Sequence, residues 1–157
     1  MPDPAEKLYK ASLNAAKKSK RNVFVEFSAS WCGWCHLLEK NLADPAVKPL
    51  WDKAFVTLSL DTLENGPKKS LENPGADKFM AKLGGANAGL PFFAVLDPSG
   101  KKIADANLMP GGKNIGCPAA ADELPLFAEF LKKSAPKLTD AERATIMGVF
   151  QKNAPKR

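Results

Sequence analysis

The feature that most constrains this chain of 157 residues is a short apolar segment followed closely by two cysteines. Residues 23–27 read VFVEF, a β-branched and aromatic run that predicts a buried strand. Residues 31–36 then read WCGWCH, and apolar residues recur at helical spacing from Cys35 to Leu42. The sequence therefore predicts a strand that ends just before a helix, with Cys32 at the start of that helix.

Other segments continue an alternation of helices and strands. Apolar spacing predicts helices over residues 4–20, 35–51, 77–83, 124–131 and 139–152, and the second of these has a break near 44–45. Runs of β-branched or aromatic residues predict strands over 23–27, 55–60, 92–96 and 102–108. Strand, helix and strand over 23–60 form a βαβ unit, which normally has parallel strands. Turn residues at 97–100 predict an antiparallel hairpin. We therefore expect an α/β fold with a central mixed β-sheet of about four strands flanked by helices.

Composition and charge exclude several classes of protein. The chain is 45% hydrophobic and 25% charged, as soluble globular proteins are, and no apolar run reaches the roughly 18 residues of a membrane span. The N-terminal MPDPAEKLYK lacks the basic and then apolar layout of a signal peptide. The net charge of +6 comes from lysines spread in pairs, with no block that indicates a nucleic-acid partner. The length predicts a single domain over residues 1–157.

The two cysteines fit two motifs at once. Cys32 and Cys35 form the C-x-x-C pair of thiol–disulfide enzymes, and residues 32–36 also fit C-x-x-C-H, the attachment site of a c-type haem. Met80 or Met109 could supply the sixth ligand of such a haem. A strand before the motif and a hairpin after it favour an α/β domain over a small helical cytochrome.

A structural zinc site is a third interpretation of the same residues. It would have to use Cys32, Cys35, His36 and Cys117. Neighbouring side chains on a helix point about 100° apart, so Cys35 and His36 would have difficulty sharing a tetrahedral ion. We therefore expect no metal at this site.

Cysteines three residues apart at the start of a helix suit dithiol chemistry. Their Cα atoms are expected about 5 Å apart, inside the window of roughly 4.4–6.8 Å that a disulfide needs. A helix N-terminus lowers the pKa of a thiol, and the thiolate is the reactive form. We therefore expect Cys32 to attack a substrate and Cys35, one turn inside the helix, to resolve the mixed disulfide.

The order of these motifs resembles the thioredoxin family. A strand over residues 24–27, the run Trp31-Cys32-Gly33-Trp34-Cys35, the pair Leu90-Pro91 and a hairpin over 92–108 follow one another as they do in that family. The chain looks most like extended bacterial thioredoxin-like proteins with a W-C-x-W-C-H motif. The resemblance covers about residues 22–134, which implies a thioredoxin-like core with an extra N-terminal helix and an extra C-terminal helical extension over about 138–153. Gly33-Trp34 replaces the family's Gly-Pro, and the segment over 61–91 is long.

The resemblance also implies roles for residues around the cysteines. Glu26 lies in the first strand, where burial on both faces would raise the pKa of its carboxyl. The family keeps a buried acid at the matching position, which helps to deprotonate the resolving cysteine. A cis peptide bond before Pro91 would leave the backbone of Leu90 free to pair with an extended substrate. The expected substrate-binding residues are Trp31, Gly33, Trp34, Leu90, Pro91 and Gly116.

Simpler interpretations of these residues stay open. Glu26 could be an acid near a strand end with solvent access, and Pro91 an ordinary trans proline that starts a strand. Trp31 and Trp34 could form an apolar rim around Cys32 or serve only as packing.

Two further residues are candidates for accessory roles. His36 lies one turn after Cys32 and could tune its thiolate, although a partly buried histidine with satisfied hydrogen bonds is the preferred interpretation. Cys117 lies in the loop that, in the thioredoxin fold, borders the substrate groove. It could form an alternative disulfide with Cys32, and an unpaired cysteine is the simpler expectation.

These observations together predict a thiol–disulfide oxidoreductase that acts on protein thiols and disulfides with an unidentified redox partner. We expect a monomer that needs no metal or bound cofactor beyond its own disulfide. The alternative is a non-catalytic module of the same fold that binds partners through its groove or a mixed disulfide. The direction of the reaction is left open, and the resemblance favours an exported, periplasmic location over a cytoplasmic one.

Overall fold

Helices and strands follow one another in the predicted order within residues 1–156, the part of the chain that this computed structural model describes. The helices are α1 Ala5–Ser19, α2 Gly33–Ala43, α3 Lys48–Ala54, α4 Ala76–Met80, α5 Leu124–Ser134 and α6 Asp140–Lys152. The strands are β1 Asn22–Ser28, β2 Phe55–Asp61, β3 Phe92–Leu96 and β4 Lys102–Asp105. Short helical turns occupy Gly66–Leu71, Ala81–Gly85 and Pro110–Gly112.

The four strands form one mixed sheet in the order β2-β1-β3-β4. β1 runs parallel to β2 and antiparallel to β3, and β3 runs antiparallel to β4. The predicted thioredoxin-like arrangement of a mixed sheet flanked by helices is confirmed, and helices stand at both ends of the chain.

The last strand is shorter than its predicted range of 102–108. It ends at Asp105, where the carboxylate accepts a hydrogen bond of 2.9 Å from the amide of Asn107. An aspartate that binds the backbone two residues ahead makes a turn, so the chain leaves the sheet there.

Aromatic side chains cover both faces of β1. On one face, Phe24 stacks on Phe93 at 5.3 Å and meets Trp51 edge-on at 4.9 Å. On the other face, Phe27 meets Phe79 edge-on at 5.9 Å. Each such pair contributes about 0.5–1.5 kcal/mol beyond the burial of its area. The strand that precedes the cysteines is therefore fixed from both sides.

The terminal helix α6 packs on this same core. Its start is a capping box, in which Thr139 accepts from the amide of Glu142 and Glu142 accepts from the amide of Thr139. Phe150 lies 5.0 Å from Phe127 of α5, and Asn153 donates to the side chain of Asn41 in α2 at 2.9 Å. These contacts join α6 to the helix that carries Cys35.

The segment between β2 and β3 is joined by hydrogen bonds to the end of β2. The backbone and side chain of Asn73 both bond to Asp61, at 3.0 and 2.8 Å. The segment then passes through α4 to Gly85, which packs closely against Met80 and Phe92. No space for a side chain exists at Gly85, because an added Cβ would lie 2.7 Å from Met80 and 2.8 Å from Phe92.

Gly85→Ala is therefore expected to lower the free energy of unfolding by about 1–3 kcal/mol through overpacking. Gly148→Ala is the matched control, since Gly148 lies in exposed helix with nothing within 4 Å of an added Cβ. That control should stabilise the protein by about 0.5–1 kcal/mol, because alanine favours helix. Urea unfolding measures both changes, and equal effects of the two substitutions would contradict this account.

Candidate active site

Cys32 and Cys35 are joined by a disulfide at the start of α2. Their Cα atoms lie 5.2 Å apart, within the range expected from their spacing. Cys32 is the N-cap of the helix, in extended conformation, and its Sγ accepts a hydrogen bond of 3.1 Å from the amide of Cys35. A thiolate on Cys32 would receive that same bond together with the positive end of the helix.

The connection between β1 and α2 is held by the loop that follows β2. The amide and hydroxyl of Ser30 donate to the carboxylate of Glu64 at 2.8 and 2.7 Å. The indole of Trp31 donates to the carbonyl of Leu63 at 2.9 Å. The backbone just before Cys32 therefore has its position set from a distant part of the chain, which sequence patterns did not indicate.

Asp61 and Glu64 form an acidic pair within this connection. Burial, a hydrogen bond to Glu64 and the charges of Glu64 and Glu72 raise the pKa of Asp61 to about 7. Burial alone would raise the pKa of Glu64, but hydrogen bonds from Ser30 and Asp61 outweigh it and lower that pKa. When the pair holds one proton, that proton therefore lies on Asp61 and the charge on Glu64.

Glu26 is buried in the centre of the sheet, with 2% of its surface exposed. Its Oε1 accepts a hydrogen bond from Ser59, the residue opposite it on β2, whereas Oε2 has no partner among residues 1–156. Burial raises the pKa of Glu26 to about 7, opposed by the Ser59 bond and reinforced by the charge of Glu39. Ser59 could have been found from the sequence, because it is a polar residue directly across a parallel ladder.

A small cavity adjoins Glu26. It has a volume of about 190 Å³, and its lining includes Glu39 and Lys48. That space is large enough to hold water beside Glu26.

Several expected substrate-binding residues line one open groove beside α2. The groove has a volume of about 320 Å³, and its lining includes Trp34, Leu90, Pro91 and Gly116. The peptide bond between Leu90 and Pro91 is cis. Trp31 and Gly33 do not line the groove in residues 1–156. Trp31 and Trp34 are 54% and 42% exposed, so neither is buried packing.

The preferred interpretation of His36 as a partly buried residue is wrong, because its side chain is exposed. Its Nε2 lies 3.0 Å from the carbonyl of Ser30, and its Nδ1 lies 3.5 Å from the carboxylate of Glu39. The bond to Ser30, followed by the bond to Glu39, raises its pKa. Helical spacing placed His36 on the correct turn but could not indicate whether another segment covers it.

Cys117 is a buried free thiol that lines the groove. Burial, followed by the charges of Glu123 and Glu26, raises its pKa to about 12. Cys32 is bonded to Cys35 and not to Cys117 in this structure.

Residues 1–156 hold neither a cluster of metal ligands nor a membrane-spanning helix. No group of three or more histidine, cysteine, aspartate or glutamate side chains in this range is arranged to hold a metal ion. No helix in the same range is long and apolar enough to cross a membrane.

Comparison with known proteins identifies the family. A family model described as thioredoxin-like matches residues 5–98, more than half of the chain. The chain belongs to the thioredoxin-like family. Thioredoxin H8 of Arabidopsis thaliana is 40% identical to this thioredoxin-like chain over 55 residues, covering 35% of the chain and 36% of that protein. Thioredoxin H2 of the same plant is 38% identical over 61 residues, covering 36% of the chain and 42% of that protein. The matches thus span less than half of either relative.

Two solved structures share the fold. A disulphide isomerase from Xylella fastidiosa Temecula1 aligns with a TM-score of 0.57 and 20% identity, covering 94% of this thioredoxin-like chain and 89% of that one. A thioredoxin from Thermus thermophilus aligns with a TM-score of 0.50 and 21% identity, covering 87% and 91%. Membership of the family and the bonded C-x-x-C pair favour the dithiol interpretation of residues 32–36 over the haem interpretation.

The buried carboxyl of Glu26 is expected to make stability depend on pH. Its pKa rises from 4.5 to about 7 on folding, so the folded state holds the proton more tightly than the unfolded state. The contribution of Glu26 to stability should be greatest below pH 4.5 and fall as the pH rises through about 7, by about 3 kcal/mol in all. Glu26→Gln should remove the share of this dependence that Glu26 contributes, leave the share that Asp61 contributes over the same range, and raise the free energy of unfolding at pH 8 by a similar amount. Urea unfolding of the oxidised protein at several pH values measures this free energy, with Glu6→Gln at an exposed position of α1 as the control.

Cys117 is expected to react slowly with alkylating reagents in the folded protein. A rise of its pKa from 9.0 to about 12 leaves about a thousandfold less thiolate at pH 8 than an ordinary thiol has. After reduction, iodoacetamide should label Cys32 first and Cys117 only on unfolding. Mass mapping after mild oxidation of Cys35→Ser should find no Cys32–Cys117 bond, and rapid labelling of Cys117 or such a bond would contradict this account.

Proposed function

We propose that this chain is a thiol–disulfide oxidoreductase that exchanges disulfides with protein substrates through Cys32 and Cys35. The observation that supports this most directly is the disulfide itself, which lies at the N-terminus of α2 in a chain of the thioredoxin-like family. The groove lined by Trp34, Leu90 and Pro91 offers room for an extended segment of a substrate.

In the first step, the thiolate of Cys32 attacks one sulfur of a substrate disulfide. A bond forms between Cys32 and that sulfur, the substrate bond breaks, and the second substrate sulfur leaves as a thiolate that takes up a proton. The amide of Cys35, 3.1 Å from Sγ of Cys32, stabilises the attacking thiolate.

In the second step, Cys35 gives up its proton and attacks Sγ of Cys32. The mixed disulfide breaks, the remaining substrate sulfur leaves as a thiolate, and the Cys32–Cys35 bond forms, so two electrons have passed to the substrate. Glu26, with its pKa near 7, is suited to accept the proton at neutral pH. The adjoining cavity lets water carry that proton onward. The reverse sequence oxidises a substrate dithiol.

We further propose that residues 1–157 act as one monomeric domain, with no metal or cofactor beyond the dithiol. The partner that resets the dithiol is another thiol–disulfide protein, and the direction of transfer depends on the compartment in which the protein works. A periplasmic location is favoured over a cytoplasmic one by the family resemblance alone.

The test is reduction of insulin by dithiothreitol in the presence of the protein. The wild type should accelerate it, and Cys32→Ser should abolish the acceleration. Cys35→Ser, mixed with insulin without dithiothreitol, should hold a mixed disulfide that mass spectrometry detects. Gly148→Ala, at an exposed position of α6 and outside the groove lining, is the control and should retain the wild-type rate. Equal rates with the wild type and Cys32→Ser would instead favour a non-catalytic binding module.

A further inference from the structure

Asn114 lies in the wall of the groove, in the loop that follows the last hairpin. Its side-chain Nδ2 lies 3.2 Å from the carbonyl of Ala88, 3.3 Å from that of Gly89 and 2.9 Å from that of Pro91. Its Oδ1 accepts a hydrogen bond of 2.9 Å from the amide of Gly116. One half-buried amide therefore connects the two loops that border the groove.

The three carbonyls that Asn114 engages lie on either side of Leu90. Within residues 1–156, neither the amide nor the carbonyl of Leu90 has a hydrogen-bond partner. The strand ladder begins only at Phe92, so this stretch has no sheet to hold it. Asn114 thus orients the backbone of the stretch while leaving the amide and the carbonyl of Leu90 unpaired.

The backbone of Asn114 is itself fixed on both sides. The amide of Met109 donates to the carbonyl of Lys113 at 3.1 Å, and the amide of Ile115 donates to the carbonyl of Ala106 at 2.8 Å. Gly116 has a φ of +65°, and a Cβ added there would lie 3.9 Å from Pro91. The loop therefore lies beside Pro91 with its own backbone fixed, so the side chain of Asn114 can hold the neighbouring loop in position.

We propose that Asn114 is a positioning residue that presents the free amide and carbonyl of Leu90 to an extended substrate strand. This inference rests on the proposed function, since strand addition matters only if a polypeptide enters the groove. It assigns to Asn114 the recognition of protein substrates and no part in the chemistry of the two cysteines. Small disulfides, which have no backbone to pair, should not depend on it.

Asn114→Asp is the sharpest variant, because it keeps the acceptor for Gly116 and replaces the donor by an oxygen that three carbonyls repel. With insulin, KM should rise about tenfold, whereas kcat and the rate with cystamine should stay within about twofold. Asn107→Asp is the matched control, since Asn107 donates to the carbonyl of Gly84 and does not line the groove. Equal losses with insulin and cystamine, or no loss with either, would overturn the proposal.

A second measurement does not depend on turnover. A cysteine-containing peptide is attached to Cys32 in the Cys35→Ser variant, and amide hydrogen exchange at Leu90 is followed. Exchange should slow about tenfold on attachment when Asn114 is present and stay fast in the Asn114→Asp background. Unchanged exchange with Asn114 present would refute the inference even if insulin is reduced. A wild-type protein that reduces neither insulin nor cystamine would refute the proposed function instead.

Discussion

The arrangement of this protein depends on the burial of β1 on both faces and its pairing on both edges. Residues 23–27 are at most 2% exposed, and the ladders to β2 and β3 fix the register of the strand. A strand so constrained cannot slide without exposing an entire face of aromatic side chains. Its end is therefore a fixed point, and Cys32 follows it after three residues as the cap of α2.

Buried acids shape the electrostatics around this fixed point, although the chain as a whole is basic. Glu26 is buried in the sheet. Asp61 and Glu64 lie at the end of β2 and in the loop after it, where Glu64 accepts two hydrogen bonds from Ser30. Burial is the main cause of the raised pKa of both Glu26 and Asp61, which places two titrations near neutrality. Both carboxyls can therefore gain or lose a proton near pH 7, which the proposed thiol–disulfide exchange would use.

Local patterns were sufficient to predict the framework of the fold. The change from strand to helix period placed Cys32 and Cys35, and the two strands and hairpin followed from apolar runs and turn residues. Contacts between side chains and backbone groups over long sequence separations were not predictable in this way. Glu64 binds Ser30 across 34 residues and Asn114 binds Pro91 across 23, and in each case the partner is a backbone group that carries no sequence signal. His36 was placed on the right turn, but its exposure depends on what the rest of the chain covers.

The midpoint potential of the Cys32–Cys35 pair tests the central claim most directly. The protein is equilibrated in dithiothreitol or glutathione buffers of known potential, and the two thiols are counted by alkylation and mass spectrometry. This account predicts a single two-electron transition above about −300 mV, near −270 mV for a reductase or near −120 mV for an oxidant. A bond that stays closed below about −300 mV would be a structural disulfide and would contradict the account.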